Sequence, residues 1–253
     1  MLGFLSLLLA LLPAVSSPDW TKDFDEGVAA YRRGDYASAE TLWKEALRAP
    51  ELEAFDRAAI TRNLGNAAWR QARGLEAVAW YTASLRSSPR DAETWASLEH
   101  ARQASELEPA DRGDLTSTLR RIVESWTPAE AQWMVAGATF LWLLALIGEA
   151  LRGGIAWRVA AWSGFFLVAV AALPLIWHLR GADREVWMVV ERDVELASEP
   201  RADLGATGAV EPAQEVIGLD QVPDWVRIET AGGARGWVPR ESVMPLTPLS
   251  TNS

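Results

Sequence analysis

Histidine and cysteine carry much of the chemistry that a polypeptide performs without a cofactor, and this chain is poor in both. Its 253 residues include no cysteine and two histidines, His100 and His178. The lack of cysteine removes a disulfide framework, a thiolate metal site and a cysteine nucleophile, and leaves the compartment unreadable from redox chemistry. The histidines lie far apart, one in a helical, alanine-rich region and one at the end of an apolar run. A zinc site or an acyl-transfer triad needs converging nitrogens, so no metal, no cofactor and no catalytic residue is expected. A carboxylate pair acting on a glycan is the remaining catalytic alternative, although abundant Asp and Glu are more simply the solvated faces of helices. The expectation is a binding protein, not an enzyme.

The formal charge of -10 divides by region. Residues 18–125 hold fifteen basic and nineteen acidic side chains, and residues 180–253 hold seven and thirteen. Neither part presents the basic face that would release counterions from phosphates, so nucleic acid is not expected as a partner, nor is an anionic lipid surface.

Residues 1–17 have an apolar core from Leu2 to Leu12, then Pro13 and Ala14-Val15-Ser16. This is the pattern of a secretory signal with a small-residue cleavage site, with an uncleaved anchor as the alternative. Residues 18–109 are helical in pattern and repetitive. Gly27, Tyr31, Ala39 and Trp43 recur as Gly65, Trp69, Ala77 and Tyr81, at a spacing of 38, and Pro89 closes the second unit. Ala58 to Ala92 gives a spacing of 34 into a partial third unit with Trp95 and Leu98. The small residues stand where paired helices approach closely, and each large aromatic follows four residues after the alanine. These features resemble tetratricopeptide repeats, with extra residues around positions 50–55. The segment 110–128 is expected to be a linker and capping helix that covers the last exposed apolar face of the repeats.

Two uncharged runs follow, 131–148 and 159–179. With their flanks they are expected to form a transmembrane hairpin, with spans at 129–151 and 156–179 and a short loop at 152–155. Each is long enough for a hydrocarbon core about 30 Å thick at about 1.5 Å per residue. Trp126, Trp133, Trp157, Trp162 and Trp177 gather near the span ends, as interfacial residues do, while Trp142 sits near the middle. Arg152 and Arg158 flank the loop against Glu149, which places the loop in the cytoplasm and both flanking regions outside. That topology holds whether or not the N-terminal segment is cleaved.

Beyond Arg184 short β-type runs replace helical periodicity, at 186–191, 194–197, 216–218, 225–229 and 235–238. The hairpin from Trp225 through Gly232-Gly233 to Gly236-Trp237-Val238 is similar to the end of bacterial SH3-type domains. On that resemblance residues 185–248 form a small all-β barrel with a long loop at 199–208, in which Trp225, Gly236 and Trp237 are structural, and residues 249–253 are a tail. Trp225 and Trp237 each begin or occupy a strand beside β-branched residues, so both are expected to be buried aromatics of that barrel. The fold class is therefore multidomain: α-helical repeats, a two-helix transmembrane hairpin and a small SH3-like barrel.

The order of these parts resembles the BatE-type repeat proteins encoded with Bat (Bacteroides aerotolerance) clusters. That resemblance implies an inner-membrane protein with both soluble domains in the periplasm. It also implies von Willebrand A-domain membrane proteins as partners, a MoxR-type ATPase in the same system, and a scaffold role in oxygen tolerance or envelope stress. The alternative is recognition of cell-wall polymer or peptide through the SH3-like module. In tetratricopeptide repeats the first helix of each pair lines a concave groove, and its positions map here onto Tyr31, Arg32, Arg62, Asn66, Trp69 and Arg70. Arg62 and Asn66 stand four apart and share a helix face. An arginine beside an amide can grip a carboxylate or peptide backbone, and Trp69 and Tyr31 offer apolar contact. Glu93 and Ser97 depart from the carboxylate-gripping version of the repeat, which wants basic residues there.

Overall fold

A computed structural model describes residues 19–110, 115–181, 184–201 and 205–246. The expected signal at 1–17 and tail at 249–253 lie outside the described residues. Five helices come first: α1 (Asp19–Arg32), α2 (Tyr36–Ala46), α3 (Ala54–Arg70), α4 (Gly74–Ser87) and α5 (Ala92–Ala104). Asp35 starts α2 by accepting from the Ser38 amide at 3.1 Å, and Asp91 starts α5 by accepting from the amides of Glu93 and Thr94. Such caps satisfy amides that have no partner inside the helix.

Each of these helices packs on the next, and small residues set the distance. A Cβ at Gly65 would lie 2.6 Å from the Tyr81 ring, and one at Gly27 would run into the Trp43 indole. Trp43 donates to the Phe24 carbonyl at 3.1 Å and Tyr81 to Asn66 Oδ1 at 2.8 Å, so both aromatics are fixed by a polar tip as well as by packing. Ala30, Ala39, Leu64, Ala68, Ala77 and Val78 complete a buried core along the stack. The connection 47–53 is longer than its counterpart 88–91, where extra residues were expected.

Among the described residues, helix α6 (Leu115–Glu124) has as its principal neighbour a later helix, α8 (Ile155–Gly181), and not the last helix of the stack. Its apolar row of Leu115, Leu119 and Ile122 is exposed, so the described contacts do not include the cap expected of 110–128. Amphipathic periodicity reports that a helix has an apolar face, and says nothing of what meets that face.

The chain then forms α7 (Pro128–Arg152) and α8 (Ile155–Gly181), both long and apolar enough to cross a membrane. A capping box opens α7: the Thr127 hydroxyl accepts from the Glu130 amide, and the Glu130 carboxylate accepts from the Thr127 amide. Gly153 and Gly154, with φ of +64° and +99°, make the tight connection. The two helices pack on each other with Ala131, Ala138, Ala145 and Gly148 of α7 and Ala161 and Pro174 of α8 buried; Gly148 makes room for the Trp157 ring and Gly164 for Trp142. Small residues let helices approach closely where no hydrophobic force separates protein from solvent. The outer surface keeps Phe140, Leu144, Phe166 and Leu173 exposed.

The C-terminal part is an open antiparallel sheet of order β3-β2-β6-β5-β4-β1-β7 among the described residues. Its strands are β1 (Glu185–Val189), β2 (Val194–Ala197), β3 (Ala206–Val210), β4 (Glu215–Val222), β5 (Trp225–Glu229), β6 (Arg235–Pro239) and β7 (Val243–Pro245). Strand β3 begins inside the expected loop 199–208, and β4 runs on to Val222, past the short run read at 216–218. Apolar residues from edge to edge, Val210 of β3 through Ile228 and Val238 to Val243 of β7, belong to one buried cluster. Strand β1 is buried on both faces. Trp187 and Val189 enter the sheet core, while Val186 and Met188 join the core of the helical stack, as a period of two dictates. Arg86 of α4 pairs with Glu215 at 2.9 Å at the same seam.

Candidate functional site

The residues singled out on α1 and α3 fall into three arrangements. Tyr31 and Arg70 meet: the guanidinium donates from Nε to the Tyr31 hydroxyl at 3.4 Å and lies 5.9 Å from the centre of the Tyr36 ring. Tyr31 itself stacks edge-on with Tyr36 and against Trp43. Arg32 is exposed. Arg62 is held within the stack, with Nη1 at 3.2 Å from Asp91 and 3.1 Å from Glu93. Glu93, which looked out of place for a carboxylate-gripping groove, is therefore a solvent-exposed counter-ion from the neighbouring helix. Asn66 is also engaged, since its Oδ1 accepts the Tyr81 hydroxyl. Burial pushes the Tyr81 phenol up to about 12, so it remains a neutral donor.

Trp69 and Arg70 line a cleft of about 1010 Å³ between the helical stack and the sheet. Trp69 meets His100 edge-to-face at 5.1 Å. The far wall is Val190, Glu191 and Arg192, and the floor includes Arg73, Leu75 and Glu76. Sequence reasoning missed Arg73 and Arg192. No spacing rule joins Arg192 to Trp69, because the sheet brings it there across much of the chain. Arg192 donates to the Ser105 carbonyl at 2.5 Å and Arg70 to a phenol, so two of the three cleft arginines rest on neutral oxygens. The third, Arg73, pairs with Glu40 and Glu76.

Glu40 is bonded by three side chains, Lys44, Gln71 and Arg73. Burial pushes it up, but hydrogen bonds from Arg73, Lys44 and Gln71 outweigh that and hold it at about 2. It ties α2 to the α3–α4 turn and fixes the backbone beneath Arg70.

In the sheet, Gly236 is structural by sterics: a Cβ there would lie 2.9 Å from the Leu196 Cβ and 3.1 Å from the Ala197 carbonyl. Trp225 and Trp237 are half-buried, on the side of β5 and β6 opposite Val226, Ile228 and Val238. The tryptophan in the buried cluster of the sheet is instead Trp187, which is 0% exposed. The expectation of a buried aromatic at 225 and 237 missed the strand parity, in which the valines and Ile228 take the inward positions. Trp225 borders a second cleft of about 300 Å³ with Asp193, Glu195, Arg201 and Pro239.

Among the described residues no group of three or more His, Asp or Glu is placed to hold a metal. No protein-family model matches this sequence, and no curated protein matches it either.

Proposed function

We propose that this chain is a membrane-anchored scaffold of the bacterial envelope, which holds a tetratricopeptide-type groove and an SH3-like module together on the periplasmic face of the inner membrane. The observation that carries the reading is the seam itself. The stack and the sheet share apolar core through Val186 and Met188, and between them lies a cleft walled by both. A cleft between two rigid parts is a common place for a ligand or peptide. The hairpin confines it to two dimensions, which raises the effective concentration of any other membrane protein.

The partners proposed are membrane proteins of the Bat type, with von Willebrand A domains, in a complex serving oxygen tolerance or envelope stress. Resemblance in the order of parts supports that identity. The positive flank of the loop, Arg152 and Arg158, supports the periplasmic side for both soluble parts. A partner segment bearing a carboxylate fits the cleft best, because the partners of Arg70 and Arg192 among the described residues are neutral oxygens.

A second reading is recognition of wall polymer or peptide by the sheet, favoured by half-buried Trp225 beside the smaller cleft. Photo-reactive residues at Arg70 and at Trp225, in cells, separate the two. The scaffold reading expects Arg70 to cross-link to a membrane protein carrying a von Willebrand A domain. Cross-links to glycan strands from Trp225, with none to protein from Arg70, would replace it with the second reading.

A further inference from the structure

Among the described residues, nothing fully covers the apolar row of helix α6. At roughly 100° per residue, Leu115, Leu119 and Ile122 fall within about 60° of one another, and Trp126, just past the helix, continues the line. Positions 117, 121 and 124 fall on the opposite side. Leu115 is 75% exposed and Leu119 and Ile122 are each 53% exposed. The location of the helix says what meets this row. Its C-terminal end runs through Ser125 and Trp126 into Thr127, the cap of α7. The Trp126 carbonyl lies 2.7 Å from His178 Nε2 near the end of α8, and α8 is the principal neighbour of α6. The helix thus sits where both long apolar helices end, beside their own exposed surface, on which Trp133 is 78% and Trp177 49% exposed.

We propose that α6 lies in the plane of the bilayer interface, with Leu115, Leu119 and Ile122 among the upper acyl chains and Trp126 at the headgroup level. Continuity with the lipid-facing surface of the spans selects lipid as the occupant, and an apolar row opposite a charged side is the pattern of an interfacial helix. Residues 111–126 hold three basic and three acidic side chains, so apolar burial supplies the attachment and anionic lipid adds little. The placement also fixes the height of the helical stack. Arg90 pairs with Glu130 at the start of α7 and stands 5.7 Å from the Trp126 ring centre. The groove is thereby held near the membrane surface, within reach of a membrane-proximal partner.

This inference rests on α7 and α8 crossing a bilayer, and its test separates the two claims. Because the chain lacks cysteine, single cysteines at Leu119, Ile122, Ser117 and Phe166 can each carry a nitroxide in the full chain. The chain is reconstituted in vesicles of phosphatidylcholine, with and without phosphatidylglycerol. Collision with oxygen, which concentrates in lipid, is compared with collision with a water-soluble nickel chelate. The expected result is an oxygen-to-nickel ratio several-fold higher at Leu119 and Ile122 than at Ser117, equal in both vesicles, with a lipid signature at Phe166. Preferential nickel access at Leu119 and Ile122 would overturn the placement, and so would shielding from both reagents, which would mean that protein covers the row. A lipid signature at Phe166 alone would overturn only the placement of α6. Its absence there would overturn the membrane reading as well.

Discussion

Glu40 shows how a single side chain ties neighbouring helices together. Its folded pKa of about 2 lies below the ordinary value of 4.5, so the unfolded chain binds the proton more readily and acid favours unfolding. The contribution is fully present above about pH 5 and is lost as pH falls towards 2. A depression of this size on a side chain only 10% exposed corresponds to on the order of 3 kcal/mol. Glu40→Gln should therefore lower the melting temperature of the helical part at neutral pH and flatten its decline between about pH 5 and pH 2. An equally steep acid limb in the variant would assign the effect to other carboxylates. At the groove, Arg70 is exposed and among the described residues meets a phenol and an aromatic face, so Arg70→Ala should weaken partner retention with little change in melting temperature. Arg62 and Asn66 are different: they hold Asp91, Glu93 and Tyr81, so their removal is expected to cost stability, about 1 kcal/mol per lost bond. The types and spacing of these residues were legible in the sequence. Their internal partners were not, because a counter-ion 29 or 31 residues away is chosen by the stacking of helices.

At the scale of elements, periodicity placed most of what the structure contains. Close helix approach at Gly27 and Gly65 could be read from the repeat, whereas the rings that fill the space, Trp43 and Tyr81, are shown by the structure. Gly65→Ala tests that packing. Helix propensity favours alanine by about 1 kcal/mol, whereas forcing a Cβ to within 2.6 Å of the Tyr81 ring costs about 1–3 kcal/mol. The variant should be less stable despite its better helix former, and a net gain in melting temperature would show that the ring moves freely. Two elements misled. Helix α6 has a clear apolar face, but the sequence does not say whether helix, sheet or lipid covers it. In the sheet, aromatic residues beside valines suggested a core at Trp225 and Trp237, yet alternation turned both outward and left Trp187 inside. Trp187→Ala should cost about 3–5 kcal/mol and unfold the sheet, while Trp237→Ala should leave it folded, as read by near-ultraviolet circular dichroism. The reverse order would restore the original assignment.

For the whole molecule, the proposed function rests on the hairpin, because it returns the chain to the side from which it came. Helical stack, α6 and sheet all gather at the end of α7 and α8 away from Gly153 and Gly154, and the contacts of Arg86 with Glu215 and Arg192 with Ser105 join them there. A scaffold reading needs this single-sidedness, and a periplasmic one needs the loop to face the cytoplasm. The absence of cysteine makes the most direct measurement simple. Single cysteines at exposed Glu51 in the stack, at Ala231 in the β5–β6 turn and at Gly153 in the loop are treated with a membrane-impermeant thiol reagent in cells whose outer barrier alone has been opened. Labelling is predicted at Glu51→Cys and Ala231→Cys, and at Gly153→Cys only after the inner membrane is disrupted. Labelling at Gly153→Cys while the inner membrane is intact, or labelling that separates position 51 from position 231, would contradict the topology.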